Sequence, residues 1–450
     1  MTHIFPFIGT RYNSRLIEDM KMVISPSYET LTPEEKRKYC EQHPHNIMHL
    51  IPPNREEDEG DINNSFLRVA STIQAWRRDG ILVNDNHKSF YLYEQKYANP
   101  QGKQKERIGL YAMTSLKKQR EKEFKVEGTK PFSTKSYHLN LLRATNCNFA
   151  PVIMFFHDQE NDFKKFARKI TVTKPWEEFQ DIKGNIHRLW VLNKKDLITS
   201  LTEIFKKKDC FLIEGHDRYE IAMKYSGEQR EITGKTNHMQ PFDYTMIFLS
   251  SFEEESVTTK PIHRVLSSEL GSGIDIQEIL DDLNENFMIK QIRINIKKNE
   301  KAAEKILQTI ASKKKKQPTI GMGLPDGRAF ALTLKKSSKL ADIYDEETEL
   351  SDASKKINVN ILYHHIIRQV WIGNPEVELE EEDILYFNDA ERALKQLIER
   401  KASAAFFLNP CPMNELNDVV VEGDTIPPFT VRLFPSLISG LVIRDISVRH

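Results

Sequence analysis

The segment with the clearest potential for chemistry leads from a short apolar run into Glu214-Gly215-His216-Asp217-Arg218. Gly215 permits a sharp strand-to-helix turn, and a helix start exposes unpaired N–H groups that attract phosphate. His216 and Arg218 add cationic donors, while Glu214 and Asp217 add carboxylates of the kind that hold Mg²⁺ between phosphates. Together these groups meet the requirements of phosphoryl transfer, although an ordinary junction with surface ion pairs has the same spacing.

The elements that must position this segment are a mixture of helices and strands. The order Thr32-Pro33-Glu34-Glu35 is typical of a capped helix start, and a 3.6-residue apolar period over 66–76 predicts a second helix. Alternating or continuous apolar runs predict strands at 89–95, 107–115, 151–157, 188–193, 210–213 and 245–249, with a helix near 196–205. A mixed α+β fold is therefore expected around the segment.

Beyond about residue 270 the pattern changes to longer helical periods with fewer strands. Helices are predicted at 276–287, 302–310 and 359–372 and after Asn388, with strands at 329–334 and 404–408. We predict one region over 1–270, which carries the candidate chemistry, and a second α+β region over 271–450.

Composition argues against several classes of protein. The 450 residues carry 65 Lys+Arg and 65 Asp+Glu, so the basic excess that is usual in DNA-binding proteins is missing. No stretch approaches the ~20 apolar residues of a membrane helix, and the N-terminus lacks the pattern of a secretory signal. The four cysteines lie far apart without zinc spacing, which is typical of free thiols in a reducing compartment. We expect a cytoplasmic protein without nucleic-acid or membrane partners.

The sequence GHDRYEIAM, from Gly215, is similar to the Asp-Gly-His-His-Arg-Tyr box of ParB/sulfiredoxin-like folds. The chain most resembles a widespread family of long bacterial proteins with this box. Segments that resemble that family in the same order are 7–13, 25–29, 44–52, 76–82, 90–94, 187–190, 261–266 and 434–442. The resemblance implies a ParB/sulfiredoxin-like mixed sheet with helices. Sulfiredoxin chemistry itself is excluded, because it needs a cysteine where this chain has Gly215.

Relatives with such a box include kinases that phosphorylate free L-serine, one group of which resembles this chain in length and layout and is associated with pyrophosphate. The resemblance therefore implies a kinase that forms O-phosphoserine, with Mg²⁺ present and inorganic pyrophosphate as the preferred donor. One alternative is ADP or ATP as donor. Another is a ParB-like nucleotide-binding regulator that acts on DNA, against which stand the zero net charge and the lack of a helix-turn-helix pattern.

The resemblance also implies roles for individual residues. Glu29 is expected to act on the serine hydroxyl, although it equally fits the entry to the helix after Thr32. The other expected catalytic residues are His216 and Asp217, and the expected metal ligands are Glu214 and Asp217. The expected phosphate contacts are Gly215, His216, Arg218, His263, Arg264 and Arg11. The expected substrate contacts are Glu127, Thr129, Asn46 and His49, and Glu127 is also the second candidate for the base. For His263 the alternative is a buried histidine, and for Asn46 and His49 it is a structural turn.

The chain departs from the family pattern at several of these positions. Asp217 stands where the family usually has histidine, and Val126 stands where it has the histidine of a His-Glu-x-Thr segment. An Asp-Arg pair appears here as Tyr137-His138. Towards the C-terminus Phe429 and Ser436 stand in place of lysines. Because most of these changes remove cationic groups, they leave the identity of the phosphate donor undetermined.

Overall fold

The fold is described from a computed structural model. It describes residues 3–51, 62–116, 132–235, 237, 239–254, 257–271, 273–296, 298–314, 317–338, 343–344, 348–374, 376–377, 379 and 383–448. These residues form two compact units. The first unit contains the described residues up to 116, residues 133–258 and the chain from Leu433 onwards, and the second contains Thr259–Arg432.

Strands occur throughout the chain. Up to residue 251 they are β1 (Ile4–Phe5), β2 (Gly9–Tyr12), β3 (Ser25–Pro26), β4 (Leu82–Asn84), β5 (Phe90–Ala98), β6 (Gln104–Ser115), β7 (Cys147–Asn148), β8 (Val152–Phe156), β9 (Glu177–Gln180), β10 (Ile186–Leu192), β11 (Cys210–Glu214) and β12 (Tyr244–Ser251). The later strands are β13 (Thr258–Lys260), β14 (His263–Ser267), β15 (Phe287–Gln291), β16 (Thr319–Gly323), β17 (Ala329–Leu334), β18 (Ile384–Phe387), β19 (Ala402–Phe407), β20 (Arg432–Phe434), β21 (Ile438–Ser439) and β22 (Ile443–Asp445).

Helices alternate with these strands. In the first unit they are α1 (Met20–Val23), α2 (Pro33–Gln42), α3 (Ile62–Arg78), α4 (Phe132–Thr145), α5 (Asp162–Thr171), α6 (Lys195–Lys206) and α7 (His216–Thr233). In the second unit they are α8 (Ile276–Asn286), α9 (Asn299–Lys314), α10 (Asp352–Lys356), α11 (Asn358–Asn360), α12 (Ala390–Ile398) and α13 (Met413–Val421). Short 3₁₀ turns cover Tyr28–Thr30, Ile47–Leu50, Pro241–Asp243 and Glu269–Gly271, and a π-helical segment covers Ile361–Ile372.

An eight-stranded mixed sheet forms the centre of the first unit. The strand order is β11-β8-β12-β6-β5-β10-β9, and β1 pairs with β6. β12 and β8 run parallel, whereas the other pairs are antiparallel. Because side chains alternate along a strand, each face of this sheet collects every second residue.

The two faces of the large sheet differ in chemistry. One face is apolar: Leu92, Leu110 and Leu249 belong to a core cluster that includes Phe163 of α5 and Phe205 of α6. Burial of this face is the main hydrophobic contribution of the sheet to stability. The other face carries buried tyrosines and polar groups, among them Tyr91, Tyr93, Gln95, Arg107 and Tyr111.

The C-terminal part of the chain completes the first unit. β22 lies between β2 and β7 in a small sheet, and β21 pairs with β3. Arg444 of β22 is fully buried and donates hydrogen bonds to Asn148 and to the carbonyls of Pro241 and Tyr244. The predicted boundary near residue 270 divides the chain linearly, whereas the chain from Leu433 onwards belongs to the first unit.

The second unit is built on a six-stranded antiparallel sheet in the order β15-β17-β16-β19-β14-β18. Helices α9 and α12 pack on it, with Ile306, Ile310 and Leu394 buried against alanines of the strands and Phe407. The mixed α+β fold class that the sequence predicts is confirmed.

Several local predictions are confirmed. Helix α2 begins with a capping box between Thr32 and Glu35, and β8 is buried along its whole length. The predicted strands near 89–95, 107–115, 188–193 and 245–249 correspond to β5, β6, β10 and β12. Within the described parts of the chain, no helix combines the length and apolar content needed to cross a lipid bilayer.

Candidate active site

The corner between β11 and α7 forms the centre of the site. β11 ends at Glu214, Gly215 adopts a left-handed conformation with φ of +94°, and α7 begins at His216. A Cβ atom on Gly215 would lie 2.6 Å from Nη2 of Arg218. Glycine is therefore required both for the turn and for the close approach of the arginine.

Arg218 connects this corner to a distant part of the chain. Its Nη1 contacts Oε1 of Glu29, which lies 189 positions away on the 3₁₀ turn Tyr28–Thr30. Its Nε donates to the carbonyl of Pro151 at 3.1 Å. Only 11% of the Arg218 side chain and 15% of the Glu29 side chain are exposed, so the ion pair is mostly shielded from solvent.

Asp217 connects the corner to helix α4. Its Oδ2 lies 3.3 Å from Nδ1 of His138, and Nε2 of His138 lies 3.3 Å from the hydroxyl of Tyr28. The two helices meet because Leu139 and Leu142 of α4 pack with Ile221 of α7 in a small apolar cluster. We call Tyr28, Glu29, His138, Asp217 and Arg218 the Glu29 cluster.

Charge balance explains the protonation states in the Glu29 cluster. Burial by itself would raise the pKa of Asp217, but the contact with His138 and the charge of Arg218 hold it well below its usual range. Burial by itself would lower the pKa of Arg218, but Glu29 and Asp217 raise it above its usual value. Burial raises the pKa of Tyr28, so its hydroxyl stays protonated and can donate to Nε2 of His138.

The Glu29 cluster also brings together groups that can bind a cation. One ligand atom from each of Glu29, His138 and Asp217 lies within 4.8 Å of the others. Nδ1 of His138 is buried, and the Asp217 carboxylate 3.3 Å away is its neighbour in this group. Glu214, which the sequence predicts as a metal ligand beside Asp217, is not in this group.

A short C-terminal segment, residues 433–436, joins the corner to the large sheet. The N–H of Leu433 donates to Oε2 of Glu214 at 3.0 Å, and the carbonyl of Pro435 accepts from Nη2 of Arg107 at 2.7 Å. Oγ of Ser436 accepts from the N–H of Ser27 at 3.3 Å. The segment therefore contacts the strand that leads into the corner, the polar face of the sheet and the residue that precedes Tyr28.

Comparison with known families identifies the family of this chain. Residues 4–359 match the family described as "Protein of unknown function (DUF1015)". The chain belongs to this family. The matched range includes all five residues of the Glu29 cluster and the Gly215 corner, so the candidate site lies within the part of the chain that defines DUF1015.

A comparison with solved structures finds a weak similarity. The chain is similar to a conserved hypothetical protein from Pyrococcus furiosus, at 10% sequence identity and a TM-score of 0.31. The similarity covers 72% of this chain and 90% of that protein. No curated protein matches the chain significantly.

Three of the predicted site residues make structural contacts in the first unit. Arg11 of β2 pairs with Asp85, and its guanidinium stacks 3.6 Å from the centre of the Trp176 ring. Asn46 is fully buried and donates to the carbonyls of Met22 and Ile24, while His49 contacts the carbonyl of Cys40. His216 is the buried first residue of α7.

His263 and Arg264 lie on β14, in the second unit. Nδ1 of His263 accepts a hydrogen bond from the N–H of Leu408, and Arg264 donates to the carbonyls of Ile262 and Phe429. Both side chains are buried within that unit. Their role as phosphate contacts stays a prediction. Glu127 and Thr129 lie outside the described residues.

Two features of this region are not predicted from the sequence. The resemblance marks His138 only as a departure from the family pattern, whereas it contacts Asp217 on one side and Tyr28 on the other. The sequence does not single out Arg107, because an arginine at the start of a predicted strand is usually solvated. The alternation of its strand was the available signal, since it puts Arg107 on the face opposite Ile108 and Leu110.

Proposed function

We propose that this protein is a kinase that transfers a phosphoryl group from inorganic pyrophosphate to the hydroxyl of free L-serine. We further propose that the first unit has a ParB/sulfiredoxin-like fold. The mixed sheet with a glycine corner at the start of α7 is compatible with that fold. The donor preference rests on the resemblance of the sequence to pyrophosphate-associated serine kinases.

The observation that carries the proposal is the contact between Glu29 and Arg218. The family resemblance selects these residues separately, one as the acid that acts on serine and the other as a phosphate contact in the box. They are 189 positions apart, yet they form one shielded ion pair beside the helix start. A phosphate bound at that helix start and a hydroxyl beside Glu29 would therefore be neighbours, as phosphoryl transfer requires.

In the proposed reaction the serine hydroxyl oxygen attacks the terminal phosphorus of pyrophosphate. A new O–P bond forms, the P–O–P bridge breaks, and inorganic phosphate leaves. Glu29 accepts the hydroxyl proton, and Arg218 both orients that carboxylate and stabilises negative charge on the transferring group. Backbone N–H groups at the start of α7 supply further donors to the phosphate oxygens.

The site also fits the proposed Mg²⁺. The carboxylate of Asp217 offers oxygen ligands of the kind that Mg²⁺ prefers, and pyrophosphate would contribute others. His138 suits this ion less well, because imidazole nitrogen is a softer ligand that favours transition metals. When bound, Mg²⁺ would neutralise negative charge on the phosphates. Asp217 would be its protein ligand, and Arg218 would keep its contact with Glu29.

The test is phosphorus NMR of the protein with Mg²⁺ and L-serine, given pyrophosphate, ADP or ATP in separate samples. We expect a phosphoserine resonance with pyrophosphate. A resonance with ADP or ATP alone would reject the donor but keep the kinase. No phosphoserine with any donor would overturn the proposed function, and firm retention on DNA at low salt would then favour the regulator.

Replacing Glu29 by glutamine tests its role directly. Glu29→Gln keeps the size of the side chain but removes the proton acceptor, so we expect serine phosphorylation to fall at least 100-fold. Initial rates of phosphoserine formation measure the effect. Glu34→Gln, the same change at an exposed residue of α2, is the control and should leave the rate unchanged. An unchanged rate in Glu29→Gln would remove Glu29 from the mechanism.

A further inference from the structure

Two buried polar side chains stand opposite each other on the polar face of the large sheet. Gln95 of β5 and Arg107 of β6 are directly paired across the strands, and each is 1% exposed. Nη2 of Arg107 donates to Oε1 of Gln95 and to the carbonyl of Pro435. These contacts fix the guanidinium and orient the amide of Gln95, so that its oxygen faces Arg107.

The remaining polar groups of this pair are all donors. Nε and Nη1 of Arg107 and Nε2 of Gln95 are buried and have no hydrogen-bond partner among the described residues. Buried donors without partners are rare in folded proteins, because each one loses its hydrogen bonds to water. Three of them on two adjacent side chains indicate a place where an acceptor binds.

The charge of Arg107 indicates that this acceptor is an anion. Among the described residues Arg107 forms no ion pair, and the carboxylate of Glu214 acts on it only at longer range. Burial lowers the pKa of Arg107, although a guanidinium stays protonated in proteins. Buried cations are normally paired, so a negatively charged ligand would provide the missing compensation.

We propose that Arg107 and Gln95 form a binding subsite for an oxyanion, either a phosphate or a carboxylate. The subsite borders the Glu29 cluster: Glu214 interacts electrostatically with both Arg107 and Arg218, and residues 433–436 contact both Glu214 and Arg107. The choice of ligands rests on the proposed function. The oxyanion would be a phosphate of the donor or the carboxylate of serine.

The test measures binding of single ligands by calorimetry, without turnover. The ligands are pyrophosphate, inorganic phosphate, L-serine and L-serinamide, which lacks the carboxylate. The main variant is Gln95→Glu, because a carboxylate there would pair with Arg107 and repel an anion while preserving side-chain size. Arg107→Lys is the second variant, since it keeps the charge but loses the guanidinium donors. Gln101→Glu, in the exposed turn between β5 and β6, is the matched control.

We expect at least a tenfold loss of affinity for one class of ligand in both variants and no change in the control. Loss for pyrophosphate and phosphate alone assigns the subsite to the donor. Loss for L-serine, with L-serinamide binding weakly to every form, assigns it to the acceptor carboxylate. Wild-type affinity in a folded Gln95→Glu variant, or no binding of any oxyanion by the wild type, would overturn the subsite.

This outcome is separable from that of the proposed function. Pyrophosphate binding that depends on Gln95 can occur in a protein that forms no phosphoserine, in which case the subsite stands and the kinase falls. Conversely, phosphoserine formation with undiminished ligand affinity in both variants would keep the kinase and remove the subsite. Near-ultraviolet circular dichroism of each variant identifies one that fails to fold.

Discussion

At the residue scale, the contact between Asp217 and His138 joins two positions at which the resemblance implies a departure from its family pattern. Oδ2 of Asp217 and Nδ1 of His138 are 3.3 Å apart. The contact connects α7 with α4, and the charge of Arg218 acts on the same carboxylate.

Asp217→Asn should lower the free energy of unfolding at pH 7 by about 3 kcal/mol, because it removes the anion from a buried charge network. The pKa of Asp217 is below its unfolded value of 3.8, so this carboxylate stabilises the fold above pH 3.8 and less as the pH falls further. The deficit of the variant should therefore shrink in strong acid. Urea denaturation between pH 2 and pH 8 measures it. Asp79→Asn, at an exposed position, should show no comparable deficit.

At the element scale, the site depends on how β11 ends. The pairing of β11 with β8 shifts between Leu212 and Glu214, so Glu214 pairs with Ile153 and lies on the polar face of the sheet. Such a β-bulge changes the direction of a side chain while the two strands stay paired. Directly after it, Gly215 turns the chain into α7 and leaves room for Arg218. Strand, bulge and glycine together direct Glu214 and Arg218 towards the same region.

Gly215→Ala should disrupt this corner. The left-handed backbone at φ +94° disfavours alanine by about 1–2 kcal/mol, and the new Cβ would meet the guanidinium of Arg218. We expect a lower thermal midpoint and a large loss of serine phosphorylation, because Arg218 can no longer hold Glu29. Gly227→Ala is the control: it lies within α7 with open space around it and should stabilise slightly. Equal activity of the two variants would contradict the assigned role of the corner.

At the scale of the whole molecule, the two units differ in how they stabilise buried ionisable side chains. The first unit balances Arg218 with two carboxylates. In the second, His263 is buried beside Arg264, and its Nδ1 accepts a hydrogen bond from the N–H of Leu408. Burial, followed by the charge of Arg264, lowers the pKa of His263 to about 4. The second unit therefore contains a histidine that folding keeps neutral.

The stability of the second unit should fall in acid for this reason. Between the unfolded pKa of 6.5 and the folded value of about 4, the unfolded chain binds the proton and the native state does not. The neutral histidine thus contributes fully to the free energy of unfolding above pH 6.5. On the order of 3 kcal/mol of this free energy is lost as the pH falls to 4.

His263→Asn tests this pH dependence, because it retains an acceptor near Leu408 without a titrating group. Its stability should be nearly flat over the same pH range. Hydrogen exchange of β14 and β19 at pH 4.5 and pH 7.5 measures the effect. His87→Asn, at an exposed position, should behave as the wild type. A wild-type slope in His263→Asn would assign the acid sensitivity to other groups.

The local elements are predictable from the amino-acid sequence. The capping box at Thr32, the apolar run of β8 and the turn at Gly215 are each encoded within a few neighbouring residues, so periodicity and capping rules were sufficient to predict them. The mixed fold class followed from the same patterns. The role proposed for Arg218 follows from its place at a helix start, although the same spacing is typical of ordinary surface charges, and the role proposed for Glu29 rests on family resemblance.

Which of these residues contact one another depends on the packing of the folded chain. Glu29 reaches Arg218, and His138 reaches Asp217, because long-range packing of α4, α7 and the turn at Tyr28 brings them together. The burial of Arg107 is likewise not predictable from the sequence, because a charged side chain on a strand does not indicate which face of the sheet will be covered. Contacts between residues far apart in sequence depend on how whole elements pack, and a local pattern contains no information about that packing.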